Sequence, residues 1–331
     1  MTILSATNDN IAKAAKYIRS GDIVAFPTET VYGLGADVFN PLAVKKIFEV
    51  KKRPFFDPLI VHIADFDQIR ELTGQVNKQL EKIINTFWPG PLTLVLPKKK
   101  IVPEIVSSGL ETIAVRMPQN KIALQLIKKA KTPLAAPSAN LFSRLSPTKA
   151  EHVWHQLGER VPIILNGGPC QVGLESTIIK IENKKINLLR LGGVTIEQLE
   201  KKLGEKIFEV NSVLKDKLAS FPQPEASGQL AYHYAPETPL EVIKNFDQID
   251  FCNPNLAFLF LKPKKEIPLK DLKERIEILS SSGNLKEAAF NFYHALHKLD
   301  LLKKEKIYVE EFPDKGLGQV LRDRLKRALR S

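Results

Sequence analysis

Residues Phe26–His62 read FPTETVYGLGADVFNPLAVKKIFEVKKRPFFDPLIVH, and their pattern decides the architecture. The apolar run Ile23 to Phe26 reads as a buried strand opening into a loop crowded with hydroxyls and glycines. Pro41 follows Asn40 at a helix start, the favoured arrangement of cap and first turn. The far end of that helix delivers Lys51, Lys52 and Arg53 just before Pro54, and the chain re-enters as an apolar strand ending in His62. Strand ends that gather hydroxyls, pliant backbone and fixed cations are how α/β proteins build sites for anionic small molecules. The stretch points to an enzyme acting on a phosphate-bearing substrate.

Working outward, residues 8–20 form an amphipathic helix pattern stopped by Gly21, and helical patterns recur at about 76–87, 120–131, 147–157 and 195–203. Strand-like runs fall at about 59–63, 92–96, 112–116, 133–136, 162–165, 176–182 and 186–190. The last of these follow one another with little helix between them, so the sheet is expected to be mixed. The segment Ser220 to Gly228, rich in proline and small residues, reads as a linker. Beyond it, strands at 240–243, 256–261, 276–279 and 307–309, with helices at 284–302 and 317–329, predict a small, mostly parallel α/β unit. The expected division is a catalytic domain over 1–210, a linker or lid over 211–237 and a small Rossmann-like domain over 238–331.

The 331-residue chain carries 44% hydrophobic residues and a net charge of +12, ample for a core and suited to polyanionic partners. Two cysteines, Cys170 and Cys252, are too few for a disulfide framework or a zinc ribbon. No apolar run reaches the length of a membrane span and no signal-peptide pattern opens the chain, so a cytoplasmic enzyme is expected.

The usual nucleotide signatures are absent. Gly33-Leu-Gly35 and Gly316-Leu-Gly318 each lack the third Rossmann glycine, and no Walker A sequence occurs. His152-x-x-His155 and His294-x-x-His297 each place two imidazoles on one helical face without further ligands, and read as helix-surface histidines. Ser176 lacks a nucleophile elbow and reads as a binding hydroxyl; Cys170 reads as a small buried thiol. More informative are the polar clusters where apolar runs meet loops: Pro27–Tyr32, Lys51-x-Arg53-Pro54, Arg116-Met-Pro118, Pro137–Asn140, Glu175-Ser-Thr177 and Arg190. Four cations with hydroxyls, amides and few acids suit the clamping of two anions better than acid–base hydrolysis or metal chemistry.

The set FPTETVYGLG, KKRP…DPLIVH, FWPGPLTLVLP, AVRMP, APSANLFSRLSPT, GLEST and LLRLGG resembles the YrdC-like threonylcarbamoyl-adenylate synthases over about residues 8–210. His233-Tyr-Ala-Pro236 and Gly316-Leu-Gly318 match the longer members with a second domain. The resemblance implies a twisted, open mixed sheet with a positively charged cavity, followed by a smaller Rossmann-like domain. It implies condensation of L-threonine, bicarbonate and ATP, with Mg2+ accompanying the nucleotide, to threonylcarbamoyl-AMP and pyrophosphate. A partner complex would then pass the threonylcarbamoyl group to tRNA, with weak tRNA contact by the enzyme itself.

By the same resemblance, Lys51, Arg53, Ser138 and Asn140 form the catalytic tetrad. Arg53, Asp57, Thr112, Ser138, Ser146, Arg190 and Tyr234 would meet ATP. Thr30, His62, Arg116, Ala136 (through its backbone) and Ser176 would hold threonine. Tyr234 implies that the linker folds back as a lid, and Arg53, facing the cavity, is expected to add little to core packing. Two departures stand out: Asp57 replaces the usual asparagine behind Phe55 and Phe56, and Ser227 replaces a proline before Gly228, which implies a looser lid. An asparagine-to-aspartate change puts a carboxylate beside ATP, where it either reaches magnesium, turns to a neighbouring cation or weakens nucleotide binding. Two other readings remain: a carbamoyl-adenylate-forming enzyme of the same fold, and a basic RNA-binding module without the RNP-type aromatic pattern.

Overall fold

The computed structural model describes residues 2–74, 76–209, 224–229, 233–264, 267, 272 and 274–329. The first unit comprises β1 (Thr2–Ser5), α1 (Asn8–Arg19), β2 (Val24–Phe26), β3 (Gly33–Asp37), α2 (Pro41–Lys51), β4 (Ile60–His62), α3 (Phe66–Leu72), α4 (Lys78–Phe87), β5 (Leu92–Pro97) and α5 (Glu104–Ser107). It continues through β6 (Thr112–Arg116), α6 (Lys121–Ala130), β7 (Leu134–Ala135), α7 (Ala150–Leu157), β8 (Ile163–Asn166), β9 (Thr177–Glu182), β10 (Lys185–Arg190), α8 (Ile196–Leu203) and β11 (Ile207–Glu209). Its strands form one mixed sheet of 11, ordered β1-β8-β2-β3-β7-β4-β6-β5-β9-β10-β11. The second unit holds β12 (Leu240–Val242), β13 (Leu256–Phe260), β14 (Ile276–Ile278), α9 (Leu285–Asp300), β15 (Lys306–Val309) and α10 (Leu317–Ala328). Its four strands, ordered β12-β15-β13-β14, are all parallel. No described helix is long and apolar enough to cross a membrane.

Local chemistry explains the helix that serves the site. Asn40 accepts from the backbone N–H groups of Leu42 and Ala43, Pro41 opens the first turn, and Ala43, Val44, Ile47 and Phe48 bury one face. Lys52 ends the helix in the left-handed region at φ 53°, turning the chain so that Arg53 enters the interior.

One reading is corrected here. Gly33 and Gly35, read as part of a loop, lie on β3, paired antiparallel with β2. The Phe26 ring lies across this strand, and a Cβ on Gly35 would meet Phe26 Cε1 at 2.7 Å. Glycine is there for close approach, which hides the strand from propensity. Gly35→Ala is expected to cost about 1–3 kcal/mol through overpacking, read by urea unfolding; an unchanged midpoint would show that the ring yields freely.

An apolar seam joins the two units. Val31, Leu145, Leu174 and Tyr234 share one buried cluster with Phe292, Leu296, Val320 and Leu321 of α9 and α10. At its edge the surface reading holds for His155, which is exposed, and fails for His152. His152 is buried, and its ring stacks at 3.9 Å on His297 and 5.5 Å from His294 across the seam. Burial holds His152 at about 2 and His297 at about 4, so both are neutral at pH 7.

Candidate active site

Sheet register brings the predicted residues to one place. The parallel strands β4 and β6 end side by side with His62 opposite Arg116, and a bridge from Gly33 to Ser138 brings in the loop after β7. Thr30, His62, Arg116, Ala136, Ser138, Ser176, Arg190 and Tyr234 line one cavity, together with Glu175, Ser227 and His233. The carboxyl ends of parallel strands are where such folds bind ligands.

The cations are not waiting free. Lys51 Nζ donates to the carbonyls of Ser138, at 2.6 Å, and Asn140, fixing the loop that carries both residues. Burial lowers its pKa well below the ordinary lysine value, with Arg53 adding to the effect. Arg53 is itself buried, against the expectation that it adds little to packing. It donates to the carbonyls of Asp57 and Pro58 and to Ser227 Oγ at 3.1 Å, and pairs with the Asp57 carboxylate at 2.9 Å. Arg116 pairs with the buried Glu29 and donates to Thr30 Oγ1 at 2.8 Å and to the Gly90 carbonyl. Arg190 holds the Ser176 carbonyl through Nε and Nη2 and the Ser227 carbonyl through Nη1.

Two expectations change as a result. The site is not poor in acids: Glu29, Asp57 and Glu175 are buried against Arg116, Arg53 and Arg324. Glu29 and Glu175 lay inside the recognised motifs, but composition gave no sign that they were counter-ions. Ser227, the residue expected to loosen the lid, is itself tied to two buried arginines: its hydroxyl accepts from Arg53 and its carbonyl from Arg190.

The remaining residues divide. Asn140 donates its amide to the Leu141 and Arg144 carbonyls, leaving Oδ1 without a partner. Ser146 reaches the cavity through Glu175, to which its hydroxyl donates at 2.5 Å. Ser176 Oγ contacts Thr93 Oγ1 and accepts from Arg190. Ala136 donates its N–H to the Ile60 carbonyl, so its carbonyl is the backbone group left for a ligand. His62 is buried beside Phe26, its Nδ1 is without a partner, and burial with the nearby Arg116 holds it at about 3. Tyr234 is buried with its hydroxyl unpartnered. Thr112 stands apart: it opens β6 while Arg116 closes it, about 13 Å along the strand.

Asp57 has therefore turned to the neighbouring cation. Its carboxylate engages Arg53, which the phosphates of a nucleotide would need. Asp57→Asn is expected to lower the KM for ATP several-fold with kcat nearly unchanged, in steady-state pyrophosphate-release kinetics. An unchanged or raised KM would show that the pair does not compete with nucleotide.

Among the described residues, no group of three His, Cys, Asp or Glu side chains converges as a metal site, and the cavity's carboxylates face arginines. The described residues thus offer no ligand set for Mg2+, an ion commonly held through substrate phosphates.

A twisted mixed sheet that converges paired cations at its strand ends, sealed by a segment leading to a smaller parallel-sheet unit, defines an α/β enzyme for small anionic substrates. Comparison with known proteins makes this specific. Residues 16–192 match the Sua5/YciO/YrdC family model, described as "Telomere recombination", and residues 194–329 match "Threonylcarbamoyl-AMP synthase, C-terminal domain". The chain is 40% identical to the threonylcarbamoyl-AMP synthase of Bacillus subtilis, over 98% of this chain and 94% of that one. It is 38% identical to the enzyme of that name from Pyrococcus abyssi, over 99% and 98%. The crystal structure of P. abyssi Sua5 complexed with L-threonine superposes with a TM-score of 0.87 at 37% identity, covering 98% of this chain and 95% of that one. The chain belongs to the threonylcarbamoyl-AMP synthase family, an adenylyl-transferring class of enzyme.

Proposed function

We propose that this enzyme condenses L-threonine, bicarbonate and ATP into threonylcarbamoyl-AMP, releasing pyrophosphate. The observation that carries this reading is the convergence of His62 and Arg116 with Arg190 and Ser138 on one cavity. In this reading Arg116, with its planar fork, takes the threonine carboxylate, and Thr30 remains its hydrogen-bonding neighbour. His62 is neutral at physiological pH, and its unpartnered Nδ1 accepts from a threonine donor group. The threonine amine adds to the carbon of bicarbonate, a C–N bond forming as a C–O bond breaks with loss of water, to give a carbamate whose oxygen attacks the α-phosphorus of ATP while the bond to pyrophosphate breaks. Both reactants are anions, so the site's task is charge compensation and alignment, supplied by Arg53 and Arg190 at the phosphates. Lys51 acts through the loop bearing Ser138 and Asn140.

The cavity holds only about 40 Å3 of water-accessible space, far below the roughly 300 Å3 or more of a typical ligand pocket. ATP therefore requires the segment with Ser227, His233 and Tyr234 to withdraw, and its return would shield the mixed anhydride from water. The described side chains offer Mg2+ no ligand set, so the ion would be brought by the nucleotide and would supply charge compensation at its phosphates. The product then passes to a partner complex that modifies tRNA, with the enzyme's basic charge favouring weak tRNA contact.

The test is pyrophosphate release with each substrate omitted in turn. Release is expected only with ATP, threonine and bicarbonate together; full release without threonine would overturn the reading.

A further inference from the structure

Arg324 lies in α10 of the second unit, yet it is fully buried against the wall of the catalytic cavity. Its Nε donates to Glu175 Oε2 at 2.7 Å, and its Nη2 donates to the Leu191 carbonyl at 2.6 Å. Its guanidinium also stacks on the Tyr234 ring, 4.7 Å from the centroid. Glu175, beside Ser176, also accepts from Ser146 Oγ and from Tyr293 Oη of α9, at 2.5 and 3.0 Å. One carboxylate in the cavity wall is thus held from both units.

The charges give this arrangement its meaning. An uncompensated carboxylate here would repel phosphate and attract the other guanidinium in electrostatic reach, Arg190. Arg190 already holds the Ser176 and Ser227 carbonyls and would have to leave them to answer that charge. We propose that Arg324 is a positioning residue for nucleotide binding: by compensating Glu175, it keeps Arg190 available to ATP. The second unit completes the electrostatics of a cavity it does not itself form. Asp323, the next residue back on the helix, pairs with both Arg324 and Arg327.

This inference rests on the reading that ATP occupies the Arg190 side of the cavity, and ATP binding by the unaltered protein, measured by calorimetry, tests that reading first. Steady-state kinetics of full-length Arg324→Met, Glu175→Gln and the double variant then test the inference. Arg324→Met is expected to raise the KM for ATP by about tenfold or more while the KM for threonine changes little. Adding Glu175→Gln is expected to bring the ATP constant back near that of Glu175→Gln alone, because the charge needing compensation is gone. Thermal unfolding verifies that each variant is folded at the assay temperature. Should Arg324→Met be unfolded, the double variant, which buries no lone charge, is compared with Glu175→Gln alone. An ATP constant unchanged in folded Arg324→Met overturns the proposal. So does a raised ATP constant that persists in the double variant, or an equal rise in both substrates' constants.

Discussion

Arg53→Ala is expected to lower pyrophosphate release about a hundred- to a thousandfold, the scale on which a single preorganised charge donor counts in such sites. It is also expected to destabilise the protein by about 3–5 kcal/mol, because the variant leaves the fully buried Asp57 carboxylate without its ion-pair partner. The two losses have different causes and separate in the double variant. Arg53→Ala with Asp57→Asn removes the lone charge, so its urea midpoint is expected to return most of the way while turnover stays low. Near-normal turnover in the double variant would show that Arg53 does not serve the reaction. An unaltered midpoint in the single variant would show that the pair has no role in stability.

Much of the architecture was legible because strand and helix patterns are local. Alternating or continuous apolar runs marked most strands of both sheets, and Asn40-Pro41 announced a helix start that the structure shows capped by the asparagine side chain. β3 was missed because its glycines answer to the Phe26 ring, a contact made in space. β1, only four residues long, gains its place by parallel pairing with β8, some 160 residues later. Such non-local pairing leaves little trace in a short segment.

The site divides along the same line. Residue types at strand ends announced an anion cavity, and the family pattern named most of its walls. The counter-ions were not legible. Glu175 and Arg324 are 149 residues apart, on different units, and Arg324 sits in a helix that reads as ordinary basic surface. Nor could sequence show that Lys51 is engaged by backbone carbonyls, or that the Ser227 hydroxyl accepts from Arg53. Pairing of charges depends on which side chains share a desolvated volume, and the tertiary fold decides that.

The buried histidines lead to the second large effect. Lowering the pH from 7.5 to 5.5 is expected to cost about 4 kcal/mol of stability through His62, His152 and His297 alone, onset near pH 6.5, and His233 and His294, also lowered by burial, add to that loss. His62, His152 and His297 sit at about 3, 2 and 4 in the folded protein, chiefly because burial penalises the imidazolium. Their unfolded value is 6.5, so between these limits the unfolded chain binds more protons and stability falls as the pH falls. At pH 5.5 each contributes about 1.4 kcal/mol to the loss. Glu175 acts in a different window: its folded pKa lies below 4.5, held down by Arg324 and Arg190 against the opposing effect of burial. Its contribution is intact at pH 5.5 and is lost only below the carboxylate range. Urea unfolding at the two pH values measures the difference, and His152→Phe is expected to shrink it by about 1.4 kcal/mol. A wild-type difference under about 1 kcal/mol would mean that the imidazoles find solvent or a partner on protonation. Because His152 and His297 meet across the seam between the two units, acid should loosen that seam. The contacts of Arg324 and Tyr293 with the catalytic wall would weaken with it, so ATP affinity should fall before global unfolding.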